Sequence, residues 1–108
     1  DEACQTYADV AGLQPYYDGI NIKLMKCGGV AEARKMIALA RELSMRVMIG
    51  CMTETSAGIS AATTLSPLVD YADLDGHVLL ANDPYEGIQL VDGKLTLVNK
   101  PGTGVTPR

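Results

Sequence analysis

The sequence predicts an α/β protein: the C-terminal portion of a (β/α) TIM-like barrel, about three βα units, followed by a β-hairpin and a tail. Three observations predict it. Short apolar runs alternate with helical periodicity through the first 74 residues, the pattern of parallel strands joined by right-handed crossovers. Three such strands cannot close a barrel and leave two open edges. The chain also starts at Asp1 with no initiator Met, so further strands are expected upstream. Lastly, two β-type runs flank Asp92-Gly93, a pair suited to a type I′ turn because both central residues need positive φ.

Residues 4–13 predict a short helix, with Cys4, Tyr7, Ala8, Ala11 and Leu13 near one face and Gly12 weakening its end. Pro15 and Asp18-Gly19 mark a loop. Residues 20–25 predict a strand that breaks at Gly28-Gly29. Residues 30–44 carry the clearest helix: Val30, Ala33, Ile37 and Ala40 share a face widened by Met36, Leu39 and Leu43. Residues 46–50 are apolar at three central positions without alternation, as in a strand covered on both faces. Residues 54–65 predict a small-residue helix stopped by Pro67, where close packing compensates Gly58. Residues 69–74 predict a third strand, ending at Asp73-Leu74-Asp75-Gly76. Residues 87–91 and 94–98 predict the hairpin, and 100–108, rich in Pro and Gly, an irregular tail. The expected division is 1–82 as barrel and 83–108 as hairpin and tail.

Composition narrows the function classes. A net charge of −4 disfavours a nucleic-acid partner. No apolar run approaches the ~20 residues of a membrane span. Phe and Trp are absent, so the core must come from Leu, Ile, Val, Met and Ala. Three widely spaced cysteines, Cys4, Cys27 and Cys51, are not a disulfide framework and are expected to be reduced. One His and no Cys-x-x-Cys argue against zinc. The expected compartment is the cytoplasm, an export signal being invisible in a chain that starts at Asp1. A homo-oligomer is compatible with these features.

The chemistry-bearing residues gather at strand C-terminal ends, which share one rim in a barrel. Asp1 and Glu2 would follow an upstream strand. Lys23 follows or ends the first visible strand, Cys51-Met52-Thr53-Glu54 follows the second, and Asp73 and Asp75 end the third. Burying a lysine stem beside Ile and Leu is costly unless the amine has a partner or a task, so an ion pair and a catalytic base are both open. On a strand, Lys23 shares its parity with Asn21 and Met25, and Ile22 and Leu24 share the other. Lys23 then points into the barrel while Ile22 and Leu24 meet the helices. Lys26 lies beyond the strand, where it would pair with a rim carboxylate. Asp73 and Asp75, two apart, point the same way and repel unless a cation lies between them. A metal or a substrate ammonium would serve; a solvated strand end is the plain alternative. Glu54 could cap the helix that follows with Thr53 as N-cap, and His77 reads as a loop histidine. Gly28-Gly29 lacks the flanking residues of a phosphate loop.

These pieces together carry a family resemblance. Asp1-Glu2, the step to Lys23 in Asn21-Ile22-Lys23-Leu24-Met25-Lys26-Cys27-Gly28-Gly29, the run from Gly50 to Ala62, and Asp73-Leu74-Asp75 resemble the enolase superfamily. The likeness is to dipeptide epimerases of the L-Ala-D/L-Glu epimerase type, in the muconate-lactonising subgroup. It runs over essentially the whole chain, up to the Pro101–Val105 tail.

The resemblance implies a modified (β/α)₈ barrel with a capping domain, to which the hairpin and tail return. It implies Mg²⁺ held by three acidic residues, of which Asp1 matches the third. It implies two lysines flanking the substrate α-carbon, and Lys23 matches the one on strand six. Asp73 and Asp75 match the pair that receives the dipeptide ammonium, and Cys51, Met52 and Thr53 the substrate-contacting segment. The implied reaction is epimerisation of a dipeptide by α-proton abstraction and reprotonation through a metal-stabilised enolate. Two other readings stay open: a cycloisomerase or o-succinylbenzoate synthase of the same superfamily, whose substrates lack the ammonium group, and a non-catalytic α/β fragment. The first five strands, two metal ligands and the second base would lie outside this chain, so alone it is expected not to close a working site.

Overall fold

The computed structural model describes all 108 residues. A parallel sheet of three strands, β1 (Gly19–Lys23), β2 (Arg46–Gly50) and β3 (Tyr71–Ala72), runs in the order β1-β2-β3. The helices are α1 (Tyr7–Leu13), α2 (Leu24–Cys27), α3 (Val30–Glu42) and α4 (Ser56–Thr63). Alternation along the strands decides the faces. Ile20 and Ile22 of β1 and Val47 and Ile49 of β2 are buried, whereas Gly19, Asn21, Lys23 and Met48 are half-buried. α3 packs on β1, β2 and α1 and buries Ala33, Met36, Ile37 and Ala40. Ile59, Ala62 and Leu65 extend the same core. Each fully buried Ile or Leu contributes about 1.5–3 kcal/mol relative to exposure; with Val, Ala, Met and Cys they make a core that contains no aromatic side chain. None of the three cysteines pairs, and Cys4 and Cys27 are buried.

Boundaries differ from the sequence expectations where side-chain chemistry competes with periodicity. The strand expected over 20–25 stops at Lys23, because Leu24–Cys27 makes one helical turn. Gly28 closes that turn in the left-handed conformation (φ 95°), its N–H donating to Leu24 O at 2.9 Å. Met25 lies on this turn and is exposed, so it does not share the inward strand face expected of it. The helix expected over 4–13 starts at Tyr7 after the N-cap Thr6. The Asp9 carboxylate accepts the N–H of Thr6 (2.8 Å) and of Gln5 (3.0 Å). The helix expected over 54–65 is shorter, and its N-cap is Thr55, not Thr53. The Asp83 carboxylate accepts the Ser56 N–H at 2.7 Å, satisfying one of the amides every helix start leaves free.

The third strand keeps only two paired residues of the six expected. Its ladder is prolonged on both sides by Asp70 N–H to Val47 O (2.8 Å) and Asp73 N–H to Ile49 O (3.0 Å). Beyond the sheet lie β4 (Tyr85–Glu86), β5 (Gln89–Val91), β6 (Lys94–Thr96) and β7 (Thr106–Pro107). β5 and β6 form the expected hairpin, with Asp92 at φ 50° and Gly93 at φ 73°. The tail is not irregular throughout: β7 pairs antiparallel with β4, and Arg108 donates its backbone N–H to Pro84 O and Nε to Tyr85 O. A two-residue strand carries too short a pattern to be read from sequence. No helix is long and apolar enough to cross a membrane.

Candidate active site

Lys23 is the last residue of β1, in register with Gly50, the last of β2. Its Nζ meets Asp1 Oδ2 at 2.9 Å and lies 4.0 Å from the Met52 sulfur. Lys26 Nζ meets the other oxygen of the same carboxylate, Asp1 Oδ1, at 3.3 Å, and Glu2 Oε1 at 3.0 Å. One carboxylate thus joins two ammonium groups whose side chains are only 15% and 13% exposed. The helical turn after Lys23 explains how residues three apart, opposed on a strand, reach one carboxylate. The Lys26 amine beside Glu2 holds that carboxyl below the usual carboxylate range. Asn21 stands two residues before Lys23 on the same face, its Oδ1 buried without a hydrogen-bond partner.

The loop after β2 contributes the next layer. Cys51 is half-buried. Burial pushes its thiol up, opposed by the backbone N–H groups of Gly76 and Asp75 that point at it. Met52 and Thr53 are exposed. Glu54 bends back on its own loop, Oε2 accepting the Met52 N–H at 3.0 Å; it ties down the loop that carries Cys51, Met52 and Thr53 rather than capping the helix. Asp73 and Asp75 are exposed on either side of buried Leu74. Neither carboxylate has a side-chain hydrogen bond or an ion pair. His77 sits in the 3₁₀ turn Gly76–Leu79, with Nδ1 buried and unpartnered.

The structure therefore brings Asp1, Lys23 and Met52 together and places Cys51 against the Asp75-Gly76 backbone. It does not bring Asp73 or Asp75 into contact with Lys23. Sequence reasoning missed Asp83 as the anchor of α4; the turn-forming Asn82-Asp83-Pro84 was the available signal. Asp1 is an oxygen donor of the kind Mg²⁺ takes. No three His, Cys, Asp or Glu residues group to hold a metal, so these residues do not make a Mg²⁺ site by themselves.

A family model described as enolase C-terminal domain-like matches residues 1–108. The chain is 58% identical over 105 residues to the L-Ala-D/L-Glu epimerase of Bacteroides thetaiotaomicron, covering 97% of this chain and 27% of that protein. It is 46% identical over 106 residues to the L-Ala-D/L-amino acid epimerase of Flavobacterium johnsoniae, covering 98% and 32%. Among solved structures it is similar to the dipeptide epimerase from Methylococcus capsulatus complexed with Mg and the dipeptide L-Arg-D-Lys. The TM-score there is 0.89 and the identity 42%, over 97% of this chain and 32% of that one. The chain spans about a third or less of the length of these relatives.

Proposed function

The chain belongs to the enolase C-terminal domain-like family, and from that premise we propose that it is the C-terminal part of a dipeptide epimerase. The observation that carries the reading is the Lys23 amine, held at a strand end on the inward face by Asp1, in a chain 58% identical to an L-Ala-D/L-Glu epimerase. Epimerisation needs a base on one face of the α-carbon and an acid on the other. Lys23 is one of the pair; its opposite number lies outside these residues. Asp73 and Asp75, exposed and without cationic partners of their own, take the dipeptide ammonium. That preference separates a dipeptide from the substrates of a cycloisomerase or an o-succinylbenzoate synthase. Cys51, Met52 and Thr53 line the substrate, and the Glu54 hydrogen bond to the Met52 N–H keeps their loop in place.

Asp1 would be one of several ligands to Mg²⁺, which when bound acts as a Lewis acid at the substrate carboxylate. We assign residues 1–82 to the barrel and 83–108 to an arm that returns to a capping domain. On this reading the chain alone is inactive, since the second base and the other metal ligands are elsewhere.

A chimera tests the proposal: the matching segment of the Bacteroides thetaiotaomicron enzyme is replaced by this chain. With Mg²⁺ and L,L-dipeptides in D₂O, α-proton exchange is expected within about tenfold of the parent rate, ~1.4 kcal/mol in barrier. A chimera with the parent's circular dichroism and no exchange would overturn the reading.

A further inference from the structure

The ion cluster contains a residue that the proposed reaction leaves without a task. Lys26 is only 13% exposed, although Glu2, one of its two partners, is 81% exposed. Its amine is turned inward, onto Asp1 Oδ1 at 3.3 Å, while Lys23 takes Oδ2 at 2.9 Å. The terminal torsion of an aspartate is broad and nearly two-fold. Nothing within Asp1 therefore fixes the plane of its carboxylate or distinguishes its two oxygens. An ammonium on one oxygen fixes the plane and directs the other.

Glu2 holds the Lys26 amine from its other side at 3.0 Å. The one-turn helix α2, closed by Gly28, holds it through the backbone. Lys26 is thus anchored independently of Lys23. Lys23 has a single short polar contact, to Asp1, and beyond it only the Met52 sulfur at 4.0 Å.

We propose that Lys26 is a positioning residue for Lys23, acting through Asp1: it orients the Asp1 carboxylate so that Oδ2 presents the Lys23 amine to one face of the substrate. This rests on the epimerase reading above. It goes beyond that reading in making proton transfer on one face depend on a lysine that never touches substrate. Misplacing a reacting group by about 1 Å can cost roughly a hundredfold in rate, so the effect is readable.

The test uses the full-length protein with Lys26→Met, Lys26→Arg, Glu2→Gln and Lys23→Ala. Exchange of the α-proton into D₂O is followed separately from each epimer. Lys26→Met is expected to slow exchange about ten- to a hundredfold from one epimer, the same one that Lys23→Ala silences, and less from the other. Lys26→Arg should restore most of the lost rate. Glu2→Gln alters an exposed carboxylate and leaves folding intact; it should shift the same epimer in the same direction by a smaller factor.

Equal losses from both epimers, tracking a fall in Mg²⁺ affinity measured by titration, would overturn the proposal, because Lys26 would then serve the metal site. Unchanged rates would overturn it too. A crystal structure of Lys26→Met gives a readout independent of activity. The Lys23–Asp1 contact is expected to open beyond 4 Å, and its persistence at 2.9 Å would refute the positioning role. If wild-type protein exchanges no dipeptide proton, the epimerase reading fails, and the crystallographic distance still decides whether Lys26 places Lys23.

Discussion

Gly76 presses its α-carbon against the Met52 carbonyl oxygen, so closely that a β-carbon there would overlap it; the Cys51 sulfur would lie 3.2 Å away. The loop after β3 therefore rests directly on the loop after β2, and these two loops carry Cys51, Met52, Thr53, Asp73 and Asp75. Gly76→Ala should force one of them to move. Overpacking of this kind costs about 1–3 kcal/mol. The expected result in the full-length protein is a lower urea midpoint together with a raised KM for dipeptide. An unchanged KM would show that the loops are not coupled.

Replacing Lys23 by Ala should abolish proton transfer on one face of the α-carbon. General acid–base groups contribute about 10²–10⁴-fold, and kcat should fall by that order while KM changes little. Steady-state kinetics in both directions would check this, and a kcat within twofold of wild type would contradict it.

Asp73→Asn and Asp75→Asn should act on binding instead. Each removes a charge that would face the substrate ammonium. KM for L,L-dipeptides should rise, with kcat less affected, and N-acetylated dipeptides should lose most of their sensitivity to the substitutions. Equal effects on free and acetylated substrates would remove the ammonium assignment.

Ser56→Ala should loosen the join between α4 and the segment leading to β4. The Ser56 hydroxyl donates to Asp83 at 2.6 Å, beside the backbone N–H at 2.7 Å, and the same carboxylate accepts the Tyr85 N–H at 3.0 Å. Ser56 is 4% exposed, so the lost charge-assisted bond should cost about 1.5–3 kcal/mol. Urea denaturation measures it, and hydrogen exchange should locate the loosening at Tyr85–Glu86.

Acid should destabilise the fold through identifiable carboxylates. The Val47 N–H, then the Arg41 guanidinium at 2.6 Å, hold the Asp70 carboxyl below its usual range. The N–H groups of Thr6 and Gln5 do the same for Asp9, and Lys26 for Glu2. An unfolded aspartate titrates at about 3.9. Groups lowered in the folded state bind fewer protons there than in the unfolded chain, so their stabilisation is present above that pH and lost as pH falls through the folded values. The urea midpoint should therefore be flat from about pH 7 to 5 and fall below about pH 4, with a shallower fall for Asp70→Asn. A midpoint that rises on acidification would contradict the assignment.

Much of this was legible in the sequence, for physical reasons that differ by element. α3 was readable because thirteen residues repeat the helical period several times. β2 was readable from Val47-Met48-Ile49 between a charged residue and Gly50. The face that Lys23 takes on β1, opposite to that of buried Ile22, followed from strand parity, although Leu24, read with Ile22, lies on the helical turn instead. The failures lie where one side chain outweighs periodicity. Nothing in Leu24 or Met25 announces a helical turn, which depends on Gly28 adopting positive φ. Thr53 was the expected cap, yet the helix starts after Thr55, where the carboxylate of the distant Asp83 accepts the Ser56 N–H. The pairing of β4 with β7 joins residues about twenty apart through two-residue strands, a non-local contact with no local pattern.

Gly28 gives the electrostatic layout an unexpected author. A β-carbon there would meet nothing within 4 Å, so its only penalty is the left-handed backbone, about 1–2 kcal/mol for most residues. Gly28→Ala would keep every charge in the chain yet unwind the turn that carries Lys26 back towards Asp1. A charge-by-charge mutational survey of the rim would pass over this position. Drift at a residue with no side chain could rewire the lysine pair while the composition stayed the same.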